Sequence, residues 1–373
     1  GTGALSDFGA NMQKSVETAL ADVNDAGGPL GRELNLHARD TETKPAKALQ
    51  KYNAMQSEQG IVGLVGAASS GVTVPIAQKV GSDQVTQVSP ASTTPALAEL
   101  GYGQGGDGPK YFARTAPNDG QAGIVMGRIL GNDEYMGVSK AGFLYVDNPY
   151  GQGLAEQAKA TFEGDTVSMV GYSKRATDYS STLDTLYEGG PEGVGFIGYP
   201  GNGGTILKQW SEGGYGGEWA LSVGLNSKSF LGEYADITDG MYLQSERAAE
   251  TDGTERFRQK MGGDFTVFAP HSYDALFLIA LAIHRAGEAT GRAIAENLRA
   301  VSRPPGEKVT VGEFERAKEL LDGGNEVNYQ GASSPVDLSP NLEPITKFAI
   351  MQVNDGTRET REVLDRSFFE GKL

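Results

Sequence analysis

Short apolar runs alternate with helical patterns along most of the chain, and this alternation restricts the possible folds more than any other feature. Residues 61–65, 85–88, 141–146 and 194–199 are four such runs, each bounded by glycine, proline or polar residues. Between the runs, apolar residues recur at intervals of three and four, as in residues 8–23. Strands that alternate with helices are typical of parallel sheets covered by helices. The sequence therefore predicts an α/β fold with doubly wound parallel sheets.

Two domains are expected, because 373 residues suffice for two separate cores. The alternation begins again after residues 115–119, which predicts a second α/β unit there. Leu34, Leu36 and Ala38 alternate with polar residues, which predicts a further strand in the first unit. After residue 257 the chain has mostly helical patterns.

The composition excludes several classes of function. A net charge of −16 argues against nucleic acid or an anionic membrane as a partner. The acidic balance and the 53 glycines would also suit a protein that stays soluble in high salt. The absence of cysteine excludes disulfides, thiolate metal sites and cysteine nucleophiles. No apolar run approaches the roughly 18 residues that span a bilayer.

Catalytic motifs are missing from the sequence. Its three histidines lie in separate predicted elements and form no metal-binding or triad pattern. His37 is expected to face outward from a strand, His271 to precede a helix, and His284 to lie at the edge of a helical core. The glycines of residues 201–204 lack the phosphate-loop and dinucleotide fingerprints. We therefore expect neither an enzyme nor a bound cofactor or metal.

Hydroxyl residues follow two of the predicted strands. Ser69 and Ser70 stand where strand 61–65 ends and a helix begins, and Thr93 follows strand 85–88. A helix amino terminus offers unpaired N–H groups and a dipole that favours an anion. Ligands of open α/β sheets bind beside the carboxyl ends of strands. These loops could cradle a carboxylate, or a serine could simply cap the helix.

Tyrosines follow two strands of the second predicted unit. Tyr150 comes soon after strand 141–146, and Tyr199 ends the run 194–199. Two sheets facing each other would place the loops that carry Ser70 and Thr93 on one jaw and these tyrosines on the other. That is the geometry of a hinged clamp.

Several short segments occur in an order and spacing similar to one known family. They are residues 2–9, 22–32, 66–71, 89–97, 114–119, 147–153, 273–275 and 329–338. Together they resemble the type I periplasmic binding proteins of ABC importers, in the branched-chain amino acid (Leu/Ile/Val) class. The resemblance extends almost from end to end of the chain.

The resemblance implies two lobes joined by three chain crossings, near residues 117–120, 244–248 and 329–333. Lobe 1 would contain residues 1–118 and 247–329, and lobe 2 residues 119–246 and 330–373. The cleft between such lobes closes on a small solute. The resemblance also implies a monomer outside the cytoplasm, in the periplasm or at the cell surface, that delivers its ligand to a membrane permease.

The resemblance further implies which residues bind the ligand. Ser70 and Thr93 match the hydroxyl residues that hold a carboxylate, with Ala68 and Ala91 supplying backbone N–H groups. Phe8 matches a wall residue, and Tyr150 and Tyr199 match the aromatic contacts of the second lobe. The complete expected binding set is Phe8, Ala68, Ser69, Ser70, Ala91, Ser92, Thr93, Asp119, Tyr150, Tyr199 and Gly224.

Two departures from the family pattern matter. Amino-acid binders carry an acid after the strand at 219–223 for the ligand's ammonium, whereas this chain has Val223 and Gly224 there. A buried ammonium needs a counter-charge, so either Asp119 or Asp147 serves or the ligand lacks an amine. The family's first strand, which precedes Thr2, is also missing, so the parent chain is expected to be longer, with a leader and a lipid-anchoring cysteine.

The sequence thus predicts a transport receptor for a branched-chain or related amino acid. Non-amine carboxylates, such as aromatic or keto acids, and amides are the alternative ligands. A ligand sensor that reports to a regulator or kinase is the alternative function. A hydrolase is disfavoured because no nucleophile–base pair is apparent.

Overall fold

The computed structural model describes residues 2–106 and 108–373, and the chain divides into two compact units. Unit 1 contains Gly1–Pro117 and Ala248–Thr346, and unit 2 contains Asn118–Arg247 and Lys347–Leu373. The first part of unit 1 has the helices α1 (Ser6–Asp25), α2 (Pro45–Ala54) and α3 (Ser70–Asp83). Its strands are β1 (Gly63–Val65), β2 (Thr86–Ser89) and β3 (Phe112–Arg114).

Unit 2 follows in the chain. Its helices are α4 (Asp119–Gly131), α5 (Pro149–Thr161), α6 (Ser180–Tyr187), α7 (Pro200–Gly213), α8 (Lys228–Glu233) and α9 (Ala235–Thr238). Its strands up to the return to unit 1 are β4 (Lys140–Val146), β5 (Asp165–Tyr172), β6 (Gly193–Ile197), β7 (Glu218–Leu221) and β8 (Tyr242–Arg247).

The chain then completes unit 1 and ends in unit 2. The returning segment has the helices α10 (Asp252–Met261), α11 (Ala269–Ala286), α12 (Gly291–Val301) and α13 (Phe314–Asp322) and the strands β9 (Glu307–Thr310) and β10 (Val327–Gln330). The final segment has the strands β11 (Lys347–Asn354) and β12 (Thr357–Leu364). Within the described residues, no helix is both long and apolar enough to cross a membrane.

Unit 1 is built around helix α11 and a parallel sheet in the order β1-β2-β3. Residues 269–283 of α11 are all buried, because α1 and α12 pack against the helix together with β1 and β2. The nearly continuous apolar sequence of 275–283 suits a helix that is covered on every side. His271 lies inside the first turn of α11, so its predicted position before the helix was wrong.

The strand predicted at residues 34–38 is also wrong. These residues form no strand, and Leu36 is 39% exposed. The Asn24 carboxamide bonds both the N–H (2.8 Å) and the C=O (3.0 Å) of Leu34 at the start of this segment. An alternating pattern becomes a strand only where a neighbouring strand supplies hydrogen bonds, and no described strand pairs with this segment. His37 is exposed, but it is not a strand residue.

Unit 2 contains a seven-stranded sheet in the order β12-β11-β8-β7-β6-β4-β5. The five strands from β8 to β5 are parallel, whereas β11 pairs antiparallel with both β8 and β12. The chain passes from β4 to β5 on one side and then to β6 on the other side of β4. The sheet therefore has a topological switch point between β4 and β6, the place where open α/β sheets bind ligands. The predicted α/β fold with parallel sheets is confirmed, with an antiparallel edge added.

The chain crosses from unit 1 to unit 2 for the last time between Thr346 and Lys347. The sequence led us to expect this third crossing between residues 329 and 330. Residues 331–346 stay with unit 1 because buried groups hold them there. The Asp274 carboxylate accepts hydrogen bonds from the N–H groups of Ala332 (2.8 Å) and Ser333 (2.9 Å). Farther along, Glu343 accepts from the guanidinium of Arg114 (Nε–Oε2 2.9 Å).

Candidate functional site

Two loops of unit 1, residues 66–71 after β1 and 89–95 after β2, are tied together by buried hydroxyls. Ser89 Oγ donates to the Ala67 carbonyl (2.7 Å), and Ser92 Oγ lies within hydrogen-bond distance of the Ala68 carbonyl (3.0 Å). Ser92 is fully buried. We call this pair of segments the hydroxyl loops. The bonds of Ser89 and Ser92 show that these two hydroxyls position the loops.

Ser70 connects the hydroxyl loops in a different way. It is the first residue of α3, and its Oγ accepts hydrogen bonds from the N–H groups of Thr93 (3.2 Å) and Thr94 (3.3 Å). A hydroxyl has two acceptor positions and one donor, so the remaining capacity of Ser70 is to donate its hydrogen. A donor at a helix amino terminus suits an anionic oxygen.

The alternative in which a serine only caps the helix receives no support. Ser69 stands at the N-cap position, but among the described residues its side chain accepts no capping hydrogen bond from α3. Ser69 and Thr93 are both buried, and Ala68 and Ala91 are half-buried. The structure therefore brings Ser70, Thr93, Ser92 and Ala68 together as predicted neighbours, and their role toward a ligand stays a prediction.

Two residues without a predicted role support the hydroxyl loops from behind. Thr73 Oγ1 accepts from the Ala67 N–H (3.1 Å) and bonds Ser92 Oγ (2.7 Å). Arg114, fully buried, donates from one guanidinium nitrogen to the carbonyls of Ser92 (3.1 Å) and Thr94 (2.9 Å). The side chain of an arginine at a strand end is long enough to contact the neighbouring loop. The local sequence alone does not reveal which carbonyl groups it binds.

Phe8 has the last predicted position in unit 1. It lies in the first turn of α1 and is 2% exposed. Its place as a wall residue of the ligand site stays a prediction.

In unit 2, Tyr150 and Tyr199 form a stacked pair at the switch point of the sheet. Tyr150 lies in the first turn of α5 after β4, and Tyr199 directly precedes α7 after β6. Their rings are 5.4 Å apart between centroids and inclined by 10°. Both side chains are buried. The two predicted aromatic residues are thus in contact with each other, at the edge where ligands of such sheets bind.

Hydrogen bonds fix the orientation of the Tyr150 ring. Its Oη donates to Ser222 Oγ (2.9 Å) and accepts from the Gly224 N–H (3.3 Å). Only glycine fits at position 224, because a Cβ there would lie 2.3 Å from the Gly198 carbonyl oxygen. Burial raises the pKa of Tyr150 well above its ordinary value, so the hydroxyl stays protonated. We call Tyr150, Tyr199, Ser222 and Gly224 the tyrosine cluster.

The predicted acids of unit 2 differ in environment. Asp119 is the first residue of α4 and is 1% exposed, whereas Asp147 is exposed. Val223 is buried in a short turn after β7, in the place where the family resemblance led us to expect an acid. Asp119 and Asp147 were the two acids expected to replace the missing acid at position 223. Of these two, only Asp119 is buried.

Glu246, near the end of β8, is a buried acid that the sequence patterns did not indicate. Burial raises its pKa well above the ordinary value, and the nearby charge of Asp119 raises it further. The charge of Asp119 also raises the pKa of Tyr150, so Asp119 is close to both residues. The segment Tyr242–Arg247 lacks an apolar run, which is why neither the strand nor its buried carboxyl could be recognised.

The sequence of the chain is similar to those of known binding proteins. The model of a family described as periplasmic binding protein matches residues 1–357. The chemotactic signal transduction system substrate-binding protein BasB of Halobacterium salinarum is 36% identical over 372 residues, which cover 99% of this chain and 88% of BasB. The leucine-, isoleucine-, valine-, threonine- and alanine-binding protein of Pseudomonas aeruginosa is 26% identical over 307 residues, 80% of each chain.

Solved structures share the fold over nearly the whole chain. The branched-chain amino acid transporter substrate-binding protein LivJ of Streptococcus pneumoniae, in complex with isoleucine, has a TM-score of 0.78 at 19% identity and covers 98% of this chain and 97% of its own. A solute-binding protein of an ABC transporter from R. palustris, in complex with benzoate, has a TM-score of 0.73 at 16% identity, covering 97% and 93%.

Proposed function

Because the chain belongs to the periplasmic binding protein family, in the type I class of the Leu/Ile/Val-binding proteins, we propose that it is an extracytoplasmic receptor for a small carboxylate-bearing solute. The proposed ligand is a branched-chain or related amino acid. The loaded receptor would deliver it to the membrane permease of an ABC importer. Binding, without turnover, is the proposed activity.

The arrangement around Ser70 carries this proposal. Its hydroxyl has both acceptor positions filled by N–H groups of the facing loop and stands at the first residue of α3. Charge-assisted hydrogen bonds of this kind contribute about 1.5–3 kcal/mol each. Three or four would provide much of the roughly 8 kcal/mol that a micromolar dissociation constant requires.

The tyrosine cluster is proposed to bind the ligand from unit 2. Stacked rings with fixed hydroxyls offer an apolar surface beside polar groups, as ligand sites commonly do. The isoleucine-bound and benzoate-bound neighbours show that this fold holds carboxylates with and without an amine.

A ligand panel tests the carboxylate assignment. Thermal-shift and calorimetric titrations would compare leucine, isoleucine and valine with 4-methyl-2-oxopentanoate, benzoate and leucinamide. We expect leucine to raise the melting temperature and leucinamide, which lacks the carboxylate, to bind at least tenfold more weakly. Leucinamide binding as tight as leucine binding would contradict a carboxylate site at Ser70.

A signalling receptor is the second candidate function, favoured by the similarity to BasB across 99% of this chain. In that case the loaded protein would dock on a signal transducer in the membrane. Deletion of the gene separates the two functions: a transport receptor is needed for uptake of the radiolabelled ligand, whereas a signalling receptor is needed for migration toward it.

A further inference from the structure

We infer that Asp119, Gln244 and Glu246 form a receptor within unit 2 for a positively charged ligand group, a protonated primary amine. This inference rests on the proposed function, because it concerns the ligand of the same site. It names the chemistry of a second polar group of the ligand, in addition to the carboxylate. We call these three residues the acid cluster.

The topology of unit 2 brings the acid cluster to the edge occupied by the tyrosine cluster. Strands β4, β6, β7 and β8 are parallel, so Glu246 near the end of β8 lies on the same edge as Tyr150 and Tyr199. Helix α4 packs against β6, β7 and β8, and its last turn adjoins the start of β4. Its first residue, Asp119, therefore lies at the carboxyl edge as well.

The side chains of the acid cluster share one face of the sheet. Alternate residues of a strand point to the same side, so Tyr242, Gln244 and Glu246 point together. The Tyr242 ring contacts Tyr135, in the turn after α4, at 5.4 Å between centroids. That face is therefore the one covered by α4, which starts with Asp119.

Gln244 provides an independent indication of a ligand. Its side chain is fully buried, and within residues 2–106 and 108–373 neither its amide nitrogen nor its amide oxygen has a hydrogen-bond partner. Buried amides are rarely left in this state, because losing water without a replacement partner is unfavourable. A ligand group with N–H donors that enters beside Glu246 would supply a partner for the amide oxygen.

The charge of the cluster determines which group fits. Two neighbouring buried carboxyl groups, Asp119 and Glu246, repel each other when both are ionised, and a cation relieves that repulsion. A primary ammonium has three N–H donors, which suit two carboxyl groups and the amide oxygen of Gln244. The turn after β7, Val223–Leu225, has no charged side chain, so it adds no competing charge.

Matched ligand pairs test the inference. Isothermal titration would compare leucine, isoleucine and valine with their 2-oxo acids, which keep the carboxylate and carbon skeleton but lack the amine. We expect the wild-type protein to bind the tightest amino acid at least tenfold more tightly than its 2-oxo acid. Asp119→Asn and Glu246→Gln should each weaken amino-acid binding at least tenfold and leave 2-oxo acid binding within threefold. Asp147→Asn, an exposed acid near the same edge, is the matched control and should behave as wild type.

A substitution at Gln244 separates ligand binding from folding. Gln244→Met removes the amide without creating a cavity, so the free protein should melt at the same or a higher temperature. Amino-acid binding should nevertheless weaken at least threefold, while 2-oxo acid binding is kept. A purely structural role for the cluster would produce the opposite pattern, a less stable protein with unchanged preference for the amine.

The remaining outcomes are also decisive. Equal losses for both members of a ligand pair, or unchanged amino-acid affinity in all three acid-cluster variants, would overturn the amine receptor. Tighter binding of the 2-oxo acid by the wild-type protein would overturn it as well, while the carboxylate receptor would stand. If the wild-type protein binds neither member of any pair, the proposed function is wrong and the inference falls with it.

Discussion

At the scale of single residues, the hydroxyl of Ser70 connects two loops and keeps one hydrogen to donate. Its two acceptor bonds, from Thr93 and Thr94, hold the loop after β2 against the start of α3. The hydroxyls of Ser92 and Thr73 form hydrogen bonds with other groups of the protein. The hydrogen bonds already formed within the protein therefore indicate which of these hydroxyls can donate to a ligand.

Replacing Ser70 with alanine removes the donor and leaves two buried N–H groups without their acceptor. We expect Ser70→Ala to weaken ligand binding by about one to two orders of magnitude, the range of one to two lost hydrogen bonds. Calorimetric titration with the best ligand of the panel measures the change. Ser82→Ala, an exposed serine of the same helix, should bind as wild type. Unchanged affinity in Ser70→Ala would remove Ser70 from the site.

The sequence indicated the serines and tyrosines but not the acid Glu246, and the reason is physical. Visible apolar runs precede Ser70, Thr93 and Tyr150, and Tyr199 ends such a run, so the position of all four at strand ends could be predicted. Glu246 lies on β8, a strand with buried glutamine and glutamate side chains and no apolar run. Burial of a polar side chain depends on the packed neighbours, which the local sequence does not specify.

At the scale of elements, helix α11 carries a buried titratable group. His271 lies in its first turn, and burial lowers the pKa of the imidazole to about 3. Its own backbone carbonyl accepts a hydrogen bond from Thr115 Oγ1 (2.8 Å). The ring is therefore neutral in the folded protein, whereas in the unfolded chain it takes up a proton below about pH 6.5.

This difference makes the stability of unit 1 depend on pH. The contribution of His271 is fully present above pH 6.5 and is lost as the pH falls toward 3, at about 1.4 kcal/mol per pH unit. We expect the free energy of unfolding of His271→Gln, from urea titrations at pH 5 and pH 7, to change by about 2 kcal/mol less than that of the wild-type protein. His37→Gln, at an exposed histidine, should keep the wild-type dependence. If the free energy of unfolding depends equally on pH in both variants, folding does not lower the pKa of His271.

At the scale of the whole molecule, the fold class followed from the alternation of strands and helices, but the division of the chain did not. Residues 331–346 have no pattern of their own, and contacts with distant residues, such as those of Asp274 and Arg114, assign them to unit 1. The segment 34–38 has the pattern of a strand and lacks a partner. Local sequence patterns predict helices and strands. The unit or sheet to which a segment belongs depends instead on contacts between residues that are distant in the chain.

The net charge of −16 gives the final prediction. Folding brings like charges closer together than they are in the unfolded chain, so self-repulsion lowers stability at low ionic strength. The screening length falls from about 10 Å at 0.1 M salt to about 3 Å at 1 M. We expect the melting temperature to rise by several degrees between 0.1 M and 1 M sodium chloride. Potassium chloride should act alike at equal ionic strength, because screening depends on ionic strength. A melting temperature that stays constant or falls would show that the acidic side chains are distributed without net repulsion.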